Sequence, residues 1–192
     1  MMKHHPSLVE RLRRRIQDPN LTTTISQYAP RQGGLYPPTT LAAVKAAEAE
    51  LGFRLPGLLR VLYTEVANGG FGPGYGLFGL EGGYIAPDII NHFQGGTLVE
   101  WYFAMRGSEP LPTLSHDFGV EGKNSLFIEP GPDAQGWFDK LLPVCNHGCW
   151  QLSCVDCAQP DFPVLFFIGY GGEFRLENPT FEGWIEDWLN SP

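Results

Sequence analysis

The sequence predicts an α+β fold with a single, mostly antiparallel β-sheet flanked by helices. Three stretches with apolar residues at helical spacing precede residue 67, whereas short β-rich runs cluster between residues 126 and 170. A last helical stripe follows at residues 181–189. Helices and strands that segregate along the chain in this way are typical of α+β domains.

Composition favours one globular domain with an extra terminal element. The 192 residues are 43% hydrophobic and 13% aromatic, which is enough to bury a core. No apolar run approaches the roughly 20 residues that a membrane-spanning helix needs. Arginines interrupt the N-terminal segment where a signal peptide would be apolar. We therefore expect a cytoplasmic protein that does not bind membranes.

Charge divides the chain into two predicted units. Residues 1–31, the N-terminal basic helix and linker, hold six basic and two acidic residues, a balance of +4. Residues 32–192, the α+β domain, hold seven basic and nineteen acidic residues, a balance of −12. An acidic body repels nucleic acid and attracts basic proteins. The alternative is that the surplus of acid only maintains solubility.

The first helix is predicted to begin at Ser7, because Ser7 and Glu10 have the spacing of a capping box. Apolar residues recur every fourth position to residue 16, and Asp18-Pro19 ends the helix. The arginine run at 11–15 could bind phosphates, but a solvated helix face is the favoured interpretation.

Two further helices are predicted in the first half of the chain. One starts after Pro37-Pro38 and reaches about Glu50, where Gly52 closes it. The other opens at Pro56 and carries its apolar residues at helical spacing. It runs into the Asn-Gly pair at 68–69, whose residues tolerate left-handed backbone geometry.

The glycine-rich segment that follows, residues 66–81, reads VANGGFGPGYGLFGLE. Residues 74–79 match the G-x-G-x-x-G pattern of dinucleotide-binding loops. That fingerprint requires a strand before the glycines and a helix after them, so that the phosphate meets the helix N-terminus. Here a helix leads in and β-like residues lead out. We therefore interpret the segment as a tight helix-to-strand turn with close backbone packing.

The second half of the chain is predicted to supply the sheet. Apolar spacing gives one helical face at 89–93 and another at 98–105, before a polar loop at 107–123. Asn178-Pro179 is predicted to cap the last helix. The predicted strands, separated by Gly, Asn and Pro, are Leu126–Ile128, Leu141–Cys145, Trp150–Val155 and Val164–Tyr170.

All four cysteines lie within residues 145–157 and offer the strongest chemical signal in the sequence. Four thiolates could hold zinc tetrahedrally. Only the pair at 154–157 has the spacing of a zinc knuckle, and alternation along a strand would scatter the others. Buried, reduced cysteines are therefore favoured. The open alternative is a metal site formed by Cys145, Cys149, Cys154 and Cys157.

Catalysis finds little support in the sequence. A cysteine nucleophile would need a neighbouring base, such as His147 or His116 with Asp117. Serine-hydrolase, P-loop and H-E-x-x-H motifs do not occur. We expect no catalytic residue and no cofactor.

Four segments, in order, resemble the SUKH superfamily, which contains Smi/Knr-type cell-wall-assembly regulators and many bacterial immunity proteins. Residues 47–56 resemble its E-x-x-L-G-x-x-L-P helix end, and residues 59–73 resemble its N-G-G-F-G-P signature. Residues 141–157 resemble its cysteine-containing strand pair, and residues 181–189 its F-x-x-W-x-x-x-W-L helix. The resemblance implies a structural role for Leu55, Pro56, Asn68, Gly69, Gly70, Phe71, Gly72, Pro143, Gly148, Asp156, Trp184 and Trp188.

The resemblance, which covers about residues 37–190, also implies a SUKH-like fold and a protein-binding role without catalysis. A bacterial immunity protein that seals a cognate toxin, often a nuclease, is the favoured hypothesis. A housekeeping regulatory module and a Cys/His metal-binding protein or enzyme are the alternatives. A nuclease carries a basic groove for its substrate, which an acidic surface could block. The carboxylates predicted to contribute to this surface are Glu81, Asp88, Glu173 and Glu177.

Overall fold

The computed structural model describes residues 6–17, 36–85, 96–106, 125–127, 137–149, 151–169 and 173–191. Within these ranges the chain forms five helices and five strands. None of these helices is long and apolar enough to cross a lipid bilayer. The elements are α1 (Pro6–Gln17), α2 (Leu41–Leu51), α3 (Gly57–Glu65), α4 (Leu98–Arg106), β1 (Ser125–Phe127), β2 (Leu141–Gly148), β3 (Gln151–Asp156), β4 (Val164–Ile168), β5 (Glu173–Asn178) and α5 (Phe181–Asn190).

The five strands form one antiparallel sheet in the order β1-β5-β4-β3-β2. From β2 to β5 each strand pairs with the next along the chain, and β1 joins the far edge beside β5. The predicted α+β class with a single antiparallel sheet is therefore confirmed. The helix predicted at 89–93 and the loop predicted at 107–123 lie outside the described residues.

Strand β5 is absent from the sequence prediction. Its residues alternate in burial, since Phe174 is buried whereas Arg175 and Glu177 are exposed. The charged residues on the outer face lower the overall hydrophobicity of the run, which hides an alternation that is nevertheless typical of a half-buried strand.

Threonine side chains fix the starts of two helices. Thr40 caps α2, and its hydroxyl accepts from a first-turn backbone N–H at 3.1 Å. Thr180 caps α5 by accepting from the Gly183 N–H at 3.0 Å. The prediction of a cap at Asn178-Pro179 is wrong, because Thr180 is the cap residue. The Asn178 side chain instead accepts from the Thr180 N–H at 2.9 Å.

One hydrophobic core joins the helices to the sheet. α4 packs on β2, and α5 packs on β5. Trp137 contacts the rings of Phe167 and Phe174 at centroid distances of 5.4 and 5.9 Å. Its indole N–H donates to the Leu141 carbonyl at 2.6 Å, so the buried ring also has its polar atom satisfied.

Helix α1 docks on α5 and contributes apolar side chains, including Leu8 and Leu12, to the same core. The predicted solvated arginine face holds for Arg14, whose side chain is 80% exposed. It is wrong for Arg15, which is only 8% exposed. The Arg15 guanidinium lies 4.8 Å from the Trp188 ring centre and hydrogen-bonds the C-terminal end of α5, where cations are favoured.

Replacing Arg15 by Ala should lower the free energy of unfolding by about 2 kcal/mol, because charged hydrogen bonds to the Leu189 and Ser191 carbonyls at 2.7 and 2.8 Å are lost. Arg14→Ala is the matched control, with an expected change under about 0.5 kcal/mol. Urea unfolding measures both. Equal effects of the two substitutions would contradict a structural role for Arg15.

Candidate functional site

The glycine-rich segment covers the open edge of β2. The Tyr75 N–H donates to the Asn146 carbonyl at 2.8 Å, and the Phe78 N–H donates to the Val144 carbonyl at 2.9 Å. Unpaired strand edges invite pairing with other chains, and covering them with a loop is a common solution. The segment therefore completes the sheet at the edge opposite β1.

Many backbone N–H groups of this segment donate to acceptors within the protein. The Gly70 N–H donates to the Leu77 carbonyl at 2.9 Å, and the Gly76 N–H donates to the Pro73 carbonyl at 2.9 Å. The Leu77 N–H in turn donates to the Phe71 carbonyl at 2.7 Å. A phosphate cradle needs several backbone N–H groups that point at the ligand. These contacts agree with the interpretation of the segment as a packed turn.

Close backbone approach explains why glycine occupies particular positions. A Cβ on Gly69 would lie 2.7 Å from the Leu77 carbonyl oxygen and from the Gly79 backbone. A Cβ on Gly74 would lie 2.5 Å from the Asn146 carbonyl oxygen. Gly69 also has φ +80°, which side chains disfavour.

Asn68 ties the end of α3 to the far side of the glycine-rich segment. It is only 2% exposed. Its Oδ1 accepts from the Leu80 N–H at 2.8 Å, and its Nδ2 donates to the Glu81 carbonyl at 3.1 Å. Its backbone carbonyl accepts from the Tyr84 N–H at 2.9 Å. The buried carboxamide is thus satisfied by the loop that it holds.

A chain of polar side chains crosses the sheet beside this segment. Cys145 Sγ lies 3.7 Å from His147 Nε2, which lies 2.8 Å from Ser153 Oγ. The Ser153 hydroxyl donates to Glu177 Oε2 at 2.7 Å. The Cys145 thiol also donates to the Pro73 carbonyl at 2.9 Å, which links the chain to the glycine-rich segment.

Burial sets the protonation states of this polar chain. It lowers the pKa of His147 below the usual value near 6.5, although the Glu177 carboxylate partly opposes the shift. Burial, reinforced by Glu177, raises the pKa of the fully buried Cys145 thiol well above its usual range. Tyr84, which is not part of this polar chain, also has its pKa raised by burial, to about 12. The arrangement therefore favours neutral imidazole and protonated thiol, whereas a cysteine nucleophile needs a thiolate.

The cysteines do not converge on one point. Cys145 pairs with Ser153 across the strands, whereas Cys154 is the next residue of β3 and projects from the opposite face. Cys149 is exposed, and burial raises the pKa of the Cys157 thiol as well as that of Cys154. In the described ranges no three His, Cys, Asp or Glu side chains group as metal ligands would.

The predicted acidic surface is described at two of its residues. Glu81 is exposed in the turn that Asn68 holds. Glu177 is exposed on β5, where its carboxylate accepts from Ser153. For Glu173, which begins β5, only the backbone is described, and Asp88 lies outside the described residues. A surface role for these carboxylates stays a prediction.

The positions predicted to be structural lie before α3, in the covering segment, in β2 and β3, and in α5. Residues 55–56 precede α3, residues 68–72 begin the covering segment, and Trp184 and Trp188 pack α5 inward. A model of the SMI1/KNR4 family (SUKH-1) matches residues 38–187. The chain belongs to the SMI1/KNR4 family.

The SMI1/KNR4 match runs from just before α2 into α5 and therefore includes the sheet and the glycine-rich segment. Helix α1 precedes the matched residues. Comparison with curated proteins and with solved structures finds no match.

Sequence reasoning missed Ser153, which connects His147 to Glu177. Its position on one face of β3 was predictable from strand alternation, and Glu177 belongs to the strand that the prediction omits. A register shift between Val164 and Leu165 leaves Glu177 without an opposite residue on β4.

Gly69→Ala should destabilise the protein by about 3 kcal/mol, because backbone overlap adds to the cost of a left-handed alanine. Gly82→Ala is the matched control in the same loop, since Gly82 has φ +73° with nothing within 4 Å of a Cβ. Its expected cost is about 1 kcal/mol. Thermal and urea unfolding measure the difference, and equal costs would refute the close-packing argument.

His147 should make stability fall as the pH drops below 6.5. Its folded-state pKa is depressed, so the unfolded chain binds the proton more readily in that window and acid favours unfolding. Urea unfolding at a series of pH values should show a weaker pH dependence for His147→Gln, which keeps the other four histidines. A slope unchanged by the substitution would show that His147 is not buried in its neutral form.

Proposed function

We propose that this SMI1/KNR4-family chain is a non-catalytic protein-binding module that acts as a bacterial immunity protein. It would work in the cytoplasm and neutralise a cognate toxin with a basic surface, such as a nuclease domain, by direct stoichiometric binding. Family membership over residues 38–187 is the observation that carries the proposal.

The distribution of charge supports a basic protein partner over nucleic acid. Some positive residues of α1 bond to other parts of the protein at its surface, since Arg13 donates to the Glu65 carbonyl at 2.7 Å and Arg11 donates to Asn190 at 2.7 Å. Arg15 is buried against α5. What remains is a domain with twelve more acidic than basic residues beyond residue 31. Such a surface accelerates encounter with a basic partner.

The chemistry of the polar chain supports binding without catalysis. Cys145 is fully buried, donates to a backbone carbonyl and has a raised pKa. A nucleophilic cysteine needs access to substrate and a lowered pKa. The Cys-His-Ser-Glu arrangement therefore supports a role in strand alignment, in which each buried polar atom has a partner.

An immunity gene is expected to lie just downstream of a large toxin gene, so the test co-expresses the chain with the C-terminal domain of a toxin found at that position; the absence of such a gene would count against the immunity role. We expect restored growth of the host and a stoichiometric complex in size-exclusion chromatography. Glu81→Lys/Glu173→Lys should lower the association rate roughly tenfold at low salt and less at high salt. Glu50→Lys, an exposed change on α2 outside the predicted surface, is the control.

Growth inhibition that persists despite a soluble, folded chain would refute the immunity role. Binding of another protein without protection would instead favour a housekeeping regulatory module of the same family. An association rate that responds neither to salt nor to the charge reversals would refute the electrostatic part of the proposal.

A further inference from the structure

The middle of the glycine-rich segment, residues 73–76, forms a turn that lies over the imidazole of His147. A Cβ on Gly74 would come within 2.8 Å of His147 Nδ1, so the backbone there lies directly against the ring. Phe166 of β4 packs on the same imidazole edge to face, with 5.1 Å between the ring centres. The ring is therefore enclosed between the turn and the sheet.

Hydrogen bonds join this turn to β2. The Tyr75 N–H donates to the Asn146 carbonyl at 2.8 Å, and the Cys145 thiol donates to the Pro73 carbonyl at 2.9 Å. A third bond, from the Gly76 N–H to the Pro73 carbonyl, stays within the turn. The turn can therefore separate from β2 and keep its internal hydrogen bond.

Glycines flank this turn, and a firm anchor lies beyond it. Gly72 has φ +113° and Gly76 has φ +95°, in the region where only glycine changes conformation at little cost. Past the second glycine, the Phe78 N–H donates to the Val144 carbonyl at 2.9 Å. Such glycines can absorb a change in backbone angles while the anchored end stays in place.

The groups around His147 keep the imidazole neutral under the turn. The neighbouring ionisable side chains among the described residues are Cys145 of β2, Tyr75 of the turn, and Glu177 and Arg175 on the same face of β5. Glu177, which Ser153 links to the ring, favours the imidazolium. Burial has the larger effect and lowers the pKa of His147. A proton taken up in place would leave a cation shielded from water.

We propose that residues 73–76 form an acid-sensitive flap that lifts from β2 when His147 takes up a proton. Gly74 is exposed and separates the ring from solvent, so lifting the turn gives the imidazolium access to water. Opening breaks the bonds of Tyr75 and Cys145 and leaves the bond of Phe78 in place. Because uncovered strand edges pair readily with other chains, the flap controls access to this part of β2.

The sign of the pH effect follows from the imidazole. In the open form it has its usual pKa near 6.5 and binds a proton more readily than in the closed form, so acid favours opening. The opening constant rises by up to about tenfold for each pH unit below 6.5, until the closed form also takes up the proton. Global unfolding has the same sign but exposes the whole core, so the flap opens first.

The experiment measures amide hydrogen exchange of the isotope-labelled full chain by NMR at about pH 7.5 and about pH 5.5, with correction for the intrinsic exchange rate. Protection of the Tyr75 amide should fall roughly fivefold to tenfold at the lower pH. The Phe78 amide and the amides of β3 should keep their protection. A uniform loss across the sheet would overturn the proposal.

Two variants identify the titrating group. His147→Gln stays neutral at both pH values, so its Tyr75 protection should not depend on pH in this range. Glu177→Gln is the matched control, because it keeps the imidazole and should retain the response. A response that persists in His147→Gln, or that disappears in Glu177→Gln alone, would contradict the assignment to His147.

The His147 ring signals of the unmodified chain give an independent measurement that needs no variant. Their titration midpoint should lie below pH 6.5 and coincide with the loss of Tyr75 protection. An imidazole that titrates without any change at Tyr75, or one with its usual pKa, would overturn the proposal.

Discussion

The outer edge of β2, which no further strand of the sheet pairs with, is the constraint on which the rest of the structure depends. The sheet ends there, and the backbone groups of the edge strand must find partners. The glycine-rich segment supplies them at distances that leave no room for a Cβ at Gly69 or Gly74. Asn68, just after α3, fixes the far end of the segment through side-chain hydrogen bonds to the Leu80 N–H and the Glu81 carbonyl. The Asn-Gly-Gly sequence therefore lets the segment pack closely enough to cover the edge of β2, and its glycines are needed for that packing.

Covering this edge also creates the environment of the polar chain. Once Pro73 lies against Cys145, the thiol loses water and keeps its proton. The imidazole of His147 is desolvated in the same way, and Ser153 connects it to a carboxylate that remains at the surface. A set of residue types that resembles a catalytic site thus becomes a hydrogen-bonded network that connects β2, β3 and β5.

Local patterns predicted the described helices and four of the five strands, because apolar spacing and glycine, asparagine or proline breaks act within a few residues. The prediction failed where distant contacts decide the outcome. β5 carries charged residues on its outer face, and only its pairing with β4 and β1 shows that it is a strand. Arg15 belongs to an arginine run that was predicted to form a solvated helix face, and only the docking of α1 on α5 buries it.

Charge is unevenly distributed along the chain, since residues 1–31 carry a balance of +4 and the remainder a balance of −12. Arg13 and the buried Arg15 of α1 donate to carbonyl groups at the ends of α3 and α5, where cations are favoured. Carboxylates such as Glu81 and Asp161 remain in exposed turns without a basic residue of the same turn. An internal pairing of all charges would have produced a surface with little preference for any partner. Because acidic residues outnumber basic ones by twelve beyond residue 31, the proposed basic partner would meet a surplus of negative charge there.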